Sequence, residues 1–331
     1  MTLKRKDKRH AAILLASLIL IPLLVWLTVS RMEMSGDKSE RGQMTEGFGQ
    51  LKRVTYNGKN YVHRSDLTTI LGIGIDKNVD YQTAGYRNGG QADFLLLLII
   101  DDESKTIHQL QIDRDTMTDV MMLTLWGKEA GTRIEQICLS HAFGKTEEDR
   151  CGYTIRAVEN LLLGEKVDLY ASVRLDAIDT VNDALGGVTV TLENDMSMVD
   201  PEMTLGKTMT LHGHQAELFV RSRYDIADGS NAARQKRQRQ FLSAAADLLR
   251  KKTAENKNFV GNLYDLMGDA LNTNLNRGRI INEFYHTKDY QLEPVRGFAG
   301  EHILGEDGFV EFHADAEDIQ SFVISTFYRP E

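Results

Sequence analysis

Residues 93–101 read DFLLLLIID, seven apolar residues in a row between two carboxylates. An amphipathic helix would break such a run with polar residues every third or fourth position, and a half-exposed strand would alternate. A strand buried on both faces needs no polar position, because successive side chains point to opposite sides and both are covered. The run therefore predicts a central strand in a sheet that carries helices on each face.

The neighbouring segments agree with that frame. TTILGIGID (68–76) reads as a strand ending at Asp76, followed by a glycine-rich loop, 77–92. KTIHQLQID (105–113) alternates and is expected to pair beside the central strand across the turn Asp102-Glu103-Ser104. RVTYNGKNYV (53–62) places Asn57-Gly58 between alternating apolar residues, a strong hairpin signal. CGYTIRAVENLLLG (151–164) has helical spacing and ends at a capping glycine, Gly164. VDLYASVRL (167–175) reads as a strand, DAIDTVNDALGG (176–187) as a short helix and VTVTL (188–192) as another strand. A long helix is expected over about 232–252. Alternating helices and strands define an α/β protein, here an α/β/α layered domain around a central mixed sheet. No internal repeat and no second domain boundary appear.

The N-terminus is different in kind. KRKDKRH (4–10) precedes nineteen uncharged residues, AAILLASLILIPLLVWLTV (11–29). That length crosses a bilayer core of about 30 Å as one helix. The basic flank should stay in the cytoplasm, so the body should lie outside the membrane. A cleaved signal peptide would have a shorter apolar region and a small-residue cleavage site. Residues 1–10 then form a cytoplasmic tail, 11–29 a transmembrane helix, 30–52 a polar extracytoplasmic tether and 53–331 the folded domain.

Charge narrows the partners. The chain has 331 residues and a net charge of −9. Residues 1–31 hold six Lys or Arg and one acid, and the remainder 33 basic and 47 acidic residues, a net of −14. An acidic body excludes general nucleic-acid binding, which needs a basic face. Only two cysteines occur, Cys138 and Cys151. Outside the membrane such a pair is expected as a disulfide, with two buried free thiols as the alternative. No zinc-type spacing is present.

One stretch breaks the acidic pattern. RSRYDIADGSNAARQKRQRQF (221–241) holds five arginines and a lysine. Phe241, Ala245 and Leu248 mark the buried face of the long helix, and Gln238 and Arg234 fall on that same face. An arginine facing inward needs an anion partner. Arg221 and Arg223 alternate around Ser222, so a strand would present both on one face. Arg221, Arg223 and Arg234 are thus candidates for an anion site, while Lys236, Arg237 and Arg239 fit, in part, a solvated face. Asp76 and Asp93 each stand at the end of a predicted strand, and Arg114 and Asp115 end the next. Carboxylates with several arginines compose a metal–pyrophosphate site. His212 and His214 in LHGHQ are read as part of a turn.

GIDK (74–77), ADFLLLLIIDDESKTIHQLQIDRDT (92–116), VENLLLGEKVDLY (158–170), DAIDTVNDALGGVTV (176–190) and LHGHQAELFVRSRYD…ARQKRQRQFL (211–242) resemble the LytR–CpsA–Psr family, in order, over about 68–252. The resemblance implies a phosphotransferase anchored on the outer face of the bacterial cell membrane, which moves a glycopolymer from a polyprenyl-pyrophosphate carrier to peptidoglycan or another envelope acceptor. It implies that Asp76 and Asp93 hold Mg²⁺. It also implies that Arg114, Arg221, Arg223, Arg234 and Gln238 hold the pyrophosphate, with an apolar pocket for the lipid in the sheet–helix core. Two positions depart from the family pattern: Gln91-Ala92 stand where Arg-Ser usually precedes the metal aspartate, and Asp113 stands where proline usually precedes Arg-Asp. In such a reaction Asp93 or Asp115 would take the acceptor proton, beside Arg114. The alternatives are a non-catalytic protein that binds lipid-linked precursors, and a hydrolase that uses the same site.

Overall fold

The computed structural model describes residues 52–75, 85–87, 89–174, 177–222, 226, 229 and 231–331. The expected membrane helix at 11–29, the tether up to residue 51, Asp76 and Arg223 lie outside the described residues. Among the described residues no helix is long and apolar enough to cross a membrane.

The described residues begin with a hairpin, β1 (Arg53–Tyr56) and β2 (Lys59–His63), and the strands β3 (Leu67–Ile75), β4 (Ala92–Asp101) and β5 (Thr106–Ile112) follow. A second hairpin is formed by β6 (Met117–Leu123) and β7 (Glu129–Gln136), and a 3-10 turn over Ile137–Ala142 leads to α1 (Glu147–Leu161). Then come β8 (Leu169–Arg174), α2 (Ala177–Leu185), β9 (Thr189–Thr191), β10 (Thr208–Thr210), α3 (His214–Arg221) and the long α4 (Asn231–Glu255). The remainder comprises α5 (Phe259–Met267), β11 (Leu271–Thr273), α6 (Arg277–Thr287), β12 (Gln291–Leu292), a hairpin of β13 (Gly300–Leu304) and β14 (Val310–Ala314), α7 (Ala316–Phe327) and β15 (Tyr328–Pro330).

The central sheet has the order β11-β8-β3-β4-β5-β12. β4 is antiparallel to both β3 and β5, whereas β3 runs parallel to β8. The sheet is therefore mixed, with the DFLLLLIID strand in its interior as expected. All ten residues of β4 are buried. Alternation sends Phe94, Leu96, Leu98 and Ile100 into one core with α2 to α6, and Leu95, Leu97 and Ile99 into a second core with α1 and α7. Those are the three layers. A leucine truncated to alanine in such a strand costs about 2–5 kcal/mol.

Local chemistry sets the ends. Asn57 and Gly58 both have positive φ, 50° and 73°, which matches the primed turn expected of an Asn-Gly hairpin. Thr146 caps α1 through a capping box with Asp149. Asp101, the acid that ends β4, receives Arg64 Nη1 on Oδ2 and Arg64 Nη2 on Oδ1, both at 2.8 Å.

One expectation is corrected here. The segment before the arginine-rich stretch is helical, so Arg221 closes α3 and does not sit on a strand. An eight-residue apolar-periodic run, HQAELFVR, outweighs the strand alternation read from Arg-Ser-Arg alone. The segment 188–192 forms the expected strand, over Thr189–Thr191, and pairs with β10 in a two-stranded sheet beside the central one.

Candidate functional site

The sheet brings Asp93 and Arg114 together. Asp93 is the second residue of β4, and Arg114 follows the end of β5, which pairs antiparallel to β4. Arg114 Nη1 donates to Asp93 Oδ1, and its Nη2 donates to Gln91 Oε1 at 2.9 Å. Its Nε donates to Asp115 Oδ1 at 3.2 Å. Gln91, one of the two departures noted above, thus accepts from the site's own guanidinium. Burial alone would make Arg114 less basic, but the neighbouring Asp93 and Asp115 carboxylates overcome it and raise its pKa. Asp115 moves the other way for a carboxylate: burial raises its pKa, against the pull of Arg114 and Arg234.

The start of α4 supplies the other half. Arg234 is 5% exposed and Gln238 1%, so the face read from the sequence is the buried one. Arg234 Nη2 donates to Asn231 Oδ1. Asn231 Nδ2 reaches both oxygens of Asp113 at 2.9 Å, and Gln235 Nε2 reaches Oδ2 at 2.9 Å. Gln111 links β5 to the same helix, donating to Gln238 Oε1 at 3.1 Å. The structure therefore joins Asp93, Arg114, Asp115, Asp113, Asn231 and Arg234 through a continuous set of contacts, where β4 and β5 meet the N-terminal end of α4.

Other candidates are placed differently. Arg221 pairs with Glu217, one turn back in α3. Arg237, read as partly solvated, is buried: its Nε donates to Phe219 O at 2.8 Å and its Nη2 to Ser222 O. Burial without a carboxylate partner lowers its pKa to about 10. It fastens α3 to α4. Arg239 is half-buried, not out in solvent, and donates to Gln111 Oε1 at 2.9 Å. Arg239 itself lines a cleft of about 500 Å³ along α4, where Leu242, Ala246, Leu292 and Val295 stand among the charged Asp247, Arg250 and Glu293.

Cys138 and Cys151 are both free and buried, which corrects the expected disulfide. Each thiol already has another place. Cys138 Sγ accepts from Arg114 Nη2 at 3.4 Å, and burial pushes its pKa to about 12. Cys151 lies beside His141 and Glu147 on α1. His214 sits in the first turn of α3, with Nδ1 3.0 Å from Glu217.

Sequence reasoning missed Asn231, Gln235 and His302. The first two are spaced i, i+4 and so share a helix face, a signal present but neutral in charge. His302 lies on the β13–β14 hairpin, and its Nε2 is 3.1 Å from Asp113 Oδ2. Nothing in its sequence neighbourhood announces that contact.

The fold is a layered α/β domain with an arginine–carboxylate cluster where a strand end meets a helix start. The LytR_cpsA_psr family matches residues 28–298, and the chain belongs to that family. A relative from Bacillus subtilis, the polyisoprenyl-teichoic acid–peptidoglycan teichoic acid transferase TagU, is 30% identical over 253 residues, covering 72% of this chain and 70% of its own. A TagU from Halalkalibacterium halodurans is 27% identical, and the match covers 65% of this chain and 63% of that protein. Biofilm regulatory protein A of Streptococcus mutans is 26% identical, over 57% of this chain and 46% of its own length. Among solved structures, TagT bound to LIIa-WTA superposes with a TM-score of 0.60 at 22% identity, covering 79% of this chain and 90% of that one. TagV of Bacillus subtilis gives 0.56 at 23%, covering 80% and 96%. At these identities the structures speak for the fold.

Proposed function

We propose that this chain is a phosphotransferase that moves a glycopolymer from a polyprenyl-pyrophosphate carrier to peptidoglycan or a similar envelope acceptor. The observation that carries the reading is the convergence of Arg114 and Arg234 with Asp93 and Asp115 across β4, β5 and α4. Relatives named as teichoic acid transferases support it.

The chemistry follows from charge. An acceptor hydroxyl attacks the phosphorus that bears the glycan, and a lipid phosphate leaves. Negative charge grows on the bridging oxygen, where buried guanidiniums stabilise it more than water would. Arg114 is held in orientation by Asp93, Gln91 and Asp115, and Arg234 by Asn231, so neither must reorganise during the reaction. Asp93 is a hard oxygen donor of the kind Mg²⁺ prefers. Asp93, with Asp76, would hold that ion, which when bound supplies further neutralisation of pyrophosphate charge. Leu242, Ala246, Leu292 and Val295 give the cleft along α4 an apolar part that a prenyl chain could cover, beside its charged residues. In this reading residues 11–29 anchor the protein in the membrane with its body outside.

The test is a transfer assay with purified protein, a synthetic polyprenyl-pyrophosphate-linked disaccharide, Mg²⁺ and peptidoglycan sacculi. Label appearing on the sacculi supports transfer. Label released as free sugar phosphate would identify a hydrolase, and donor binding without turnover a precursor-binding protein.

A further inference from the structure

The transfer reaction needs a group to accept the acceptor's proton, and the two carboxylates first considered are poorly placed for it. Asp93 Oδ1 is held by Arg114. Asp115 Oδ1 is shared by Arg114 Nε and Gln136 Nε2, at 3.2 and 3.4 Å. Both residues are buried, at 3% and 7% exposure. An acceptor polymer reaches only a group that opens to solvent.

The β13–β14 hairpin supplies one. It lies beyond the family match, which ends at residue 298. The hairpin is clamped to the site: Phe312 N donates to Asp115 O at 2.7 Å, and Gln136 Nε2 to Val310 O at 2.6 Å. His302 pairs with Phe312 across the hairpin, with ring centroids 4.6 Å apart. Its Nε2 is 3.1 Å from Asp113 Oδ2, and its side chain is 39% exposed. No hydrogen bond to Nδ1 occurs among the described residues. Asp113 in turn is fixed by Asn231, Gln235 and the backbone N–H of Asp115. A carboxylate that accepts from one ring nitrogen sets the tautomer and leaves a lone pair on the other.

We propose that His302 is the base for the acceptor hydroxyl, and that Asp113 is the positioning residue that holds its ring. The assignment rests on the transferase reading. The hydroxyl proton passes to His302 Nδ1 as the new O–P bond forms. The bridging P–O bond breaks, and its electron pair leaves with the lipid phosphate. The departure from proline to Asp113 gains a purpose here, since proline at that position offers no carboxylate to the histidine.

The charged surroundings fit that role. The hydrogen bond with Asp113 raises the His302 pKa above the ordinary histidine value, and the Asp115 charge adds to it. On the hairpin itself, His313 Nε2 and Glu311 pair with each other at 2.8 Å, and Glu301 stands opposite His313. Below its pKa His302 carries a proton and cannot accept another, so transfer should rise with pH through a limb above about 6.5.

The experiment compares wild type, His302→Gln, His302→Ala and Asp113→Asn in the transfer assay, with donor affinity measured separately by calorimetry. Glutamine still offers a side-chain N–H to Asp113 but no base. His302→Gln should bind the synthetic donor within about twofold of wild type and lose transfer by about 10²–10⁴-fold, with the acid limb gone. Added imidazole should restore part of the rate to His302→Ala. Asp113→Asn should move the limb to lower pH. A His302→Gln protein that transfers at the wild-type rate with the limb intact overturns the assignment alone. A wild-type protein that binds no polyprenyl pyrophosphate overturns the transferase reading and this assignment with it.

Discussion

Arg237 Nε donates to the backbone carbonyl of Phe219 at 2.8 Å, across the interface between α4 and α3. The carbonyls at a helix C-terminus have no partner within their own helix. Arg237 satisfies two of them, Phe219 O and Ser222 O, from the neighbouring helix. Its charge sits in the arginine-rich stretch 221–241, yet its hydrogen bonds go to backbone carbonyls and serve packing.

Arg237→Ala should therefore destabilise the protein. Hydrogen bonds from a charged donor are each worth about 1.5–3 kcal/mol, and the buried carbonyls would lose them. Urea unfolding should show a loss of about 2–4 kcal/mol. An unchanged midpoint would mean that water replaces the arginine.

Arg234→Ala should weaken binding of a polyprenyl pyrophosphate by about tenfold or more, since one charge-assisted bond to phosphate is worth at least about 1.5 kcal/mol. Arg239 spends its Nη1 on Gln111, so Arg239→Ala should change affinity by only a few-fold, through Gln111 and Gln238. Calorimetric titration separates the two, and equal effects would count against a pyrophosphate at Arg234.

Removal of Asp93 bears on the metal. Asp93→Ala should weaken Mg²⁺ binding by at least about tenfold, as losing even an outer-shell partner commonly does. The readout is direct ion titration of the unliganded protein, apart from any turnover. Wild-type affinity in the variant would remove Asp93 from the ion's ligands.

Both cysteines should alkylate in denatured, unreduced protein, giving two labels per chain by mass spectrometry. In the native protein both should resist, because each is buried and the Cys138 thiol pKa is pushed to about 12. A native mass two units low, with no labels, would restore the disulfide.

The pH dependence of stability should include the Arg64–Asp101 pair. Burial alone would raise the Asp101 pKa, but the bonds from Arg64 and from Ser104 hold it below the usual carboxylate range. A depressed carboxylate stabilises the fold above its unfolded pKa, near 3.9, and loses that contribution as pH falls toward its folded value. Asp101→Asn should cost about 1–3 kcal/mol at pH 7 and progressively less below pH ~4. A pH-independent difference in guanidinium unfolding would exclude this linkage.

The layers of the fold were determined by the sequence, because periodicity is a local property. Seven apolar residues bounded by acids can satisfy only a strand covered on both faces, and Asn57-Gly58 can close only a tight hairpin. The spacing of Arg234, Gln238 and Phe241 likewise carried their shared face, since helix geometry repeats every 3.6 residues. Contacts between distant segments carry no such period. Whether an arginine on α4 meets a phosphate, a helix end or a glutamine depends on what the other elements place opposite it: Arg234 meets Asn231, Arg237 the end of α3, Arg239 Gln111. Cys138 and Cys151 counted as a pair, but Arg114 stands against one and α1 packs the other beside His141. His302 lies 189 residues from Asp113 in the chain. Only the tertiary fold, by docking β13–β14 against the strand end at Asp115, brings the two within one hydrogen bond.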